Sequence, residues 1–355
     1  MTLPNWSDPR FRLAAVTIAL QVLGQTVLGF QLSLPQIVVT IAFCATLELA
    51  VTYWRRRVVV WPSSAILTGN SIALFLRATG THHGDWWSLQ GIEFFLLAAT
   101  IGLLSKYLVR WGGQHIYNPS NIGLVAVLLL AGPTRVFPQP LWWGPMDLPV
   151  ALAWGVIVLG GIWVLWRLGM IPMVTTFLIA FTTLIAIFAA QGQCFSAVWR
   201  ATPVCGPDYW IGIAASPEVA IFVLLMMSDP RTAPAGPIGR AIYGAATALV
   251  AAALIYPQQA EWGIKLALLA ALTIVCSFVP LIERLEAGLI SRRLRIKSPT
   301  TPPARLRPTP GLVAAALVAL ALTLLVPSGV LAAAADPRVV EADRPGAAGA
   351  PTLQQ

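Results

Sequence analysis

The chain has 355 residues, of which 57% are hydrophobic and only 10% charged, with a formal net charge of +9 and a mean hydropathy of +0.75. A soluble domain of this size carries about 25% charged residues, so a soluble globular protein is excluded. The cations lie in short segments between apolar runs, which argues for membrane topology and against nucleic acid as a partner.

A bilayer span needs about 20 mainly apolar residues. Such runs fall at 11–31, 35–54, 62–78, 89–109, 117–131, 149–166, 171–191, 213–228, 240–256, 263–282 and 311–334, giving about eleven predicted transmembrane helices. The first run has no small-residue cleavage site after it and is followed by further spans, so it reads as an anchor and not as a signal peptide. With the N-terminus in the cytoplasm, most of the 23 Lys and Arg lie on the cytoplasmic side. Only Arg77, Arg135, Arg200, Lys265, Arg338 and Arg344 are left outside, the bias that cytoplasmic flanks show. Trp86-Trp87 and Trp142-Trp143 fall on outer loops, where indole rings anchor at the headgroup level.

Two predicted helices are unusually polar. The run at 62–78 opens on Pro62-Ser63-Ser64 and carries Thr68-Gly69-Asn70-Ser71. The run at 213–228 starts near Ser216-Pro217-Glu218 and ends on Ser228-Asp229-Pro230. They hold the third place in two successive five-helix sets, about 11–131 and 149–282, the first starting inside and the second outside. Interrupted helices at matching places of inverted repeats point to a midplane site. Glu48, Glu93 and Glu218 are acids within or at the ends of spans. A carboxylate at the bilayer centre costs roughly 2.5–3.5 kcal/mol on insertion scales. Glu48, the deepest, either coordinates a proton or cation or makes a helix–helix hydrogen bond.

The segment Gly112 to Gly123 joins the fourth and fifth predicted helices on the cytoplasmic side. Its Asn118-Pro119 favours turn initiation and helix entry at proline, which leaves backbone N–H groups for an anionic or carbonyl-bearing ligand. A second polar turn, Ser228 to Gly236, lies on the same face. His82, His83 and Asp85 share a short outer loop, but adjacent rings rarely converge on one ion, and no metal is expected. No Walker or dinucleotide-binding fingerprint occurs, so any electrons must arrive from a partner.

Cys44 and Cys276 lie inside apolar runs and read as packing residues. Cys194 and Cys205 share an outer loop, where disulfides persist. Closing a loop of that size constrains the chain by roughly 3 kcal/mol in the entropy model; a redox-active pair is the other reading. Residues 283–310 form a basic, proline-containing cytoplasmic linker suited to anionic lipid. It separates the core, 1–282, from one extra C-terminal transmembrane helix at 311–334. The extracytoplasmic tail, 335–355, is rich in Ala and Pro and is expected to be disordered.

Three stretches carry a family resemblance. Asn118-Pro119-Ser120-Asn121-Ile122-Gly123 resembles the "FNPxxxG" stretch of the RnfD/NqrB family. That family contains the D subunit of the Rnf electron-transport complex and the B subunit of the sodium-pumping NADH:quinone reductase. Ser228-Asp229-Pro230-Arg231-Thr232-Ala233 with Gly239-Arg240-Ala241-Ile242-Tyr243-Gly244 is similar to its "TDPxTxxxxxxGRxIYG" region. Ser64-Ala65-Ile66-Leu67-Thr68-Gly69 is similar to its "SAxxTG" helix. The chain looks closest to the UnbU-type members associated with enediyne biosynthesis clusters.

The resemblance implies an all-α polytopic membrane protein with a ten-helix core of two inverted five-helix repeats. It also implies flavin, as FMN on an outer threonine and riboflavin within the helices, with Ser64, Thr68, Gly69, Asn118, Pro119, Asn121, Gly123, Asp229 and Thr232 as cofactor-binding candidates. The family's attachment motif reads roughly Ser-Gly-Ala-Thr. Here Ala201-Thr202-Pro203 matches in part, making Thr202 the candidate for covalent FMN, but Trp199-Arg200 stand where Ser-Gly would be. The implied role is a flavin-dependent electron-transfer subunit in a bacterial plasma membrane, at most a subunit of an oxidoreductase, with lipids and other redox subunits as partners. The alternative is a small-solute or flavin transporter or channel on the same inverted-repeat fold.

Overall fold

The computed structural model describes residues 9–141, 146–293 and 309–326. Trp142-Trp143, most of the 283–310 linker, the end of the last predicted span and the 335–355 tail lie outside the described residues. The described chain is mostly helical. The first half holds α1 (Pro9–Thr26), α2 (Leu34–Arg56), α3 (Ser63–Phe75), α4 (Ile92–Leu108) and α5 (Pro119–Ala131). The second half holds α6 (Leu148–Leu168), α7 (Ile171–Ala190), α8 (Pro207–Ala214), α9 (Pro217–Ile221) with a π-helical turn at Phe222–Met226, α10 (Pro237–Ile255) and α11 (Glu261–Ser277). Two further helices follow, α12 (Val279–Arg293) and α13 (Pro310–Leu325).

Among the described residues, five helical stretches are long and apolar enough to cross a membrane: Leu34–Arg56, Leu148–Leu168, Ile171–Ala190, Pro207–Met226 and Pro237–Ile255. The count is six if the bent pair Glu261–Ser277 and Val279–Leu289 is one span. The outward faces are apolar, with Leu159 71% and Ile179 64% exposed. Such surfaces suit lipid and not water. The described molecule is therefore a mostly helical protein of multi-pass membrane character.

The short helices have local causes. α3 ends at Phe75, and the chain continues extended as β1 (Leu76–Ala78), paired antiparallel with β4 (Val136–Pro138). All three β1 residues are buried, Arg77 included, so Arg77 is not the exposed outer cation that its place in the sequence implies. Non-helical backbone is tolerated at membrane depth where protein covers it, and the strand pair satisfies its hydrogen bonds. The expected span at 263–282 is likewise interrupted, because Pro280 cannot continue α11. The chain bends by 57° there, and the expected linker therefore begins inside α12 instead of as a loop.

α7 packs on α10 and α8, α4 on α5 and α2, α2 on α3, and α10 on α11. α1 packs on α6, and α5 on α11. α13 docks on α11. Its Ala315 carbonyl accepts from the Tyr117 hydroxyl at 3.2 Å, and the Val326 carbonyl just beyond it accepts from Gln258 Nε2 at 3.1 Å. The last helix is thus fastened to the core rather than hanging beside it.

Candidate functional site

The Asn-Pro turn builds one side of the site. β2 (Arg110–Trp111) and β3 (Gln114–His115) pair through a Gly112-Gly113 loop. Both glycines have positive φ, +57° and +83°, as a two-residue hairpin turn requires. The hairpin delivers the buried His115 and then Asn118 at the cap of α5. Asn118 Oδ1 accepts from the backbone N–H of Ser120 at 3.1 Å and of Asn121 at 3.3 Å. Its Nδ2 donates to the Met226 carbonyl in the π-helical turn at 3.1 Å. One side chain therefore caps α5 and ties it to the second half of the chain.

The Ser228–Asp229–Pro230 turn faces it. Asp229 Oδ1 accepts from the Arg231 N–H at 3.0 Å, and its Oδ2 lies 3.9 Å from His115 Nε2. Burial pushes this carboxyl up, but the His115 ring together with the Arg231 N–H and charge outweighs burial and holds it below the ordinary carboxylate range.

Between these turns lies a cavity of about 270 Å³. Ser64, Thr68, Asn118, Pro119 and Asp229 line it, with Ser71, His115, Ser228 and Arg231 as further polar walls. Leu13, Leu67, Leu74, Phe75, Leu225 and Met226 make its apolar side. The π-helical turn supplies Leu225 and Met226; such turns cluster at functional sites.

The remaining candidates stand behind the cavity or away from it. Gly69 lies against α2, where a Cβ would meet Ile41 Cα at 2.8 Å. Asn121 donates through Nδ2 to the Leu269 carbonyl at 2.9 Å and to Thr273 Oγ1 at 2.8 Å, fixing α5 to α11. Gly123 lets α4 and α5 touch: a Cβ there would collide with the Ala98 carbonyl oxygen. Thr232 is buried under the Asp229 turn. These four support the walls and do not form them.

Thr202 is exposed on the loop after α7. α7 is about 30 Å long at 1.5 Å per residue and separates this loop from the Leu168 corner of the cavity. Thr202 Oγ1 accepts from Arg200 Nε at 3.1 Å, while Arg200 Nη1 lies 2.6 Å from Asp208 Oδ2. Arg200 thus occupies the approach to the hydroxyl. Cys194 and Cys205 are joined by a disulfide across the β5 (Cys194–Phe195) and β6 (Val204–Cys205) pair, with Cα atoms 4.4 Å apart.

The acids have defined partners. Glu48 Oε1 is 2.7 Å from Lys106 Nζ, so the deepest acid forms an ion pair between α2 and α4. Lys265, at the start of α11, is largely enclosed between Glu218 at 2.9 Å and Glu261 at 2.7 Å. Glu218 accepts from the Leu141 N–H and Glu261 from the Val198 N–H, which makes this cluster a clamp on two connecting loops. Glu93 is exposed. His83 Nδ1 lies 3.3 Å from the Phe30 carbonyl oxygen.

His115 and Arg231 sit in the two turns that sequence singles out, yet nothing in their spacing marks them as walls. The Glu261–Lys265 pair was visible as an i, i+4 spacing.

Fold and site together define a helical, multi-pass membrane protein with a polar-mouthed cavity between its two halves. No protein-family model matches the sequence, and no curated protein does.

Proposed function

We propose that the chain is a flavin-dependent transmembrane electron-transfer subunit of a membrane redox complex, of the RnfD/NqrB kind, with a non-covalent flavin in the cavity of about 270 Å³. The observation that carries this reading is convergence. Ser64, Thr68, Asn118, Pro119 and Asp229 come from three stretches far apart in sequence, each resembling a motif of that family, and they line one cavity. The donor set fits the ligand. Leu67, Leu74 and Phe75 offer apolar surface to a planar ring, and Ser64, Thr68 and Asn118 offer hydroxyl and amide groups to its polar edge. The size lies near the lower end of ligand pockets, about 300–1,000 Å³.

The packing supports a ten-helix core of two inverted repeats. α2 on α3, α2 on α4 and α4 on α5 have counterparts in α7 on α8, α7 on α10 and α10 on α11. The pairs α1–α6 and α5–α11 join the halves. In this arrangement the Asn118 and Asp229 turns face the cytoplasm, and Thr202 and the disulfide face outwards, in a bacterial plasma membrane.

Bound flavin would supply the one- and two-electron chemistry. The protein's residues orient the ring, exclude water, and hold a carboxylate and an imidazole at the mouth through Asp229 and His115. Substituting Thr68→Leu would fill the cavity from α3. The expected outcome is loss of most flavin from a folded protein purified with its partners; unchanged flavin content would overturn the placement. The cavity also suits a transporter of a small solute. Flux into proteoliposomes that Asp229→Ala abolishes, with no flavin retained, would favour that reading.

A further inference from the structure

The narrow cavity adjoins a wider chamber of about 760 Å³, with which it shares Ser64, His115, Pro230 and Arg231. The chamber's charge is one-sided. Arg55 and Arg56 at the end of α2, Lys106 on α4, Arg110 on β2 and Arg231 in the Asp229 turn all line it, against one carboxylate among the described residues, that of Glu48. That carboxylate is already committed to Lys106 at 2.7 Å. Topology alone places cations on a membrane face, but it does not gather them from four separate segments around one cavity.

Local contacts hold several of them in position. Arg55 lies over the Tyr107 ring at 5.6 Å. Arg110 Nη2 donates to the Gly113 carbonyl. Lys106 Nζ also reaches Ser64 Oγ at 3.3 Å. A second feature points the same way. α3 begins at the chamber, where Ser63 and Ser64 are wall residues. A helix N-terminus carries partial positive charge, although here the Ser63 and Ala65 N–H groups already donate to the Trp61 and Pro62 carbonyls.

We propose that this chamber binds the phosphate group of an amphiphilic phosphate ester whose apolar part enters the narrow cavity. Guanidinium groups hold phosphate through paired charge-assisted hydrogen bonds, and the positive end of the α3 dipole adds to their field. The site stands on its own walls and does not require the ligand to be a flavin. If the narrow cavity holds flavin, the chamber selects FMN over riboflavin there.

The test uses the full chain in nanodiscs of zwitterionic phosphatidylcholine, titrated separately with FMN, riboflavin and inorganic pyrophosphate. FMN should bind about tenfold more tightly than riboflavin. The gap should shrink as ionic strength rises from about 0.1 M to about 1 M. The double variant Arg56→Gln/Arg231→Gln should remove most of that gap, while Arg56→Lys/Arg231→Lys, which keeps the charges, should retain much of it. If neither flavin binds, the flavin reading fails. Pyrophosphate that binds the wild type and not the Gln variant then still supports the phosphate site. Phosphatidic acid that displaces pyrophosphate would assign the phosphate to a lipid headgroup. Equal binding of FMN and riboflavin, with pyrophosphate binding absent or indifferent to the Gln substitutions in folded protein, would overturn the proposal.

Discussion

Asn118 shows how one residue serves two halves of the chain. Replacing it with Ala removes an N-cap, worth about 1 kcal/mol, and also the bond to the Met226 carbonyl. The expected loss is about 2 kcal/mol in thermal or denaturant unfolding. Asn118→Asp keeps the cap acceptor but has no amide to donate, so it should recover only the capping part. Glu48 makes a sharper case. Glu48→Ala leaves Lys106 largely buried without its carboxylate and should cost up to about 3 kcal/mol, whereas replacing both by apolar residues should cost less. Asp229 couples stability to pH. Its depressed carboxyl contributes stability that is present above the ordinary carboxylate pKa of about 3.9 and lost as pH falls through the lower native value. Asp229→Asn should therefore lower stability at neutral pH and flatten the acid limb of the stability profile.

At the scale of elements, two glycines set the α4–α5 crossing. A Cβ on Gly102 would strike the Pro119 carbonyl, and one on Gly123 the Ala98 carbonyl. Small residues let membrane helices approach in this way. Gly123→Val should force the pair apart and cost about 1–3 kcal/mol, measurable as a lowered melting temperature. The disulfide closes a loop with a sequence separation of 11, and its reduction should destabilise the protein by about 2–3 kcal/mol.

Much of this level was legible in sequence. Apolar runs locate most of the helices, because burial in lipid demands continuous hydrophobicity. The runs at 62–78, 213–228 and 263–282 nevertheless conceal the strand β1 and the breaks after α8 and α11, and only five or six described stretches are long enough to span. The breakers Pro62, Pro217 and Pro230 mark the short elements. What local pattern cannot show is pairing across distance. β1 with β4 reads as the tail of a helix and a loop, because its hydrogen bonds are made by partners about sixty residues apart. From residue 283 on, α12 is read as linker because its charges outweigh its apolar periodicity. Lys265 and Lys106 read as topology markers until their carboxylates are seen beside them.

For the whole molecule, the apolar flanks of α2, α6 and α7 suit lipid, and a cation-rich chamber opens between α2, α4 and the Asp229 turn. The central claim is that the cavity between the two polar turns holds a flavin. The most direct measurement is the visible absorbance spectrum of the full chain purified from membranes with its partner subunits, recorded before and after denaturation. The expected result is an isoalloxazine spectrum that travels with the folded protein, is released on unfolding, and is diminished in Thr68→Leu. A folded, partner-bound preparation without any flavin would contradict it.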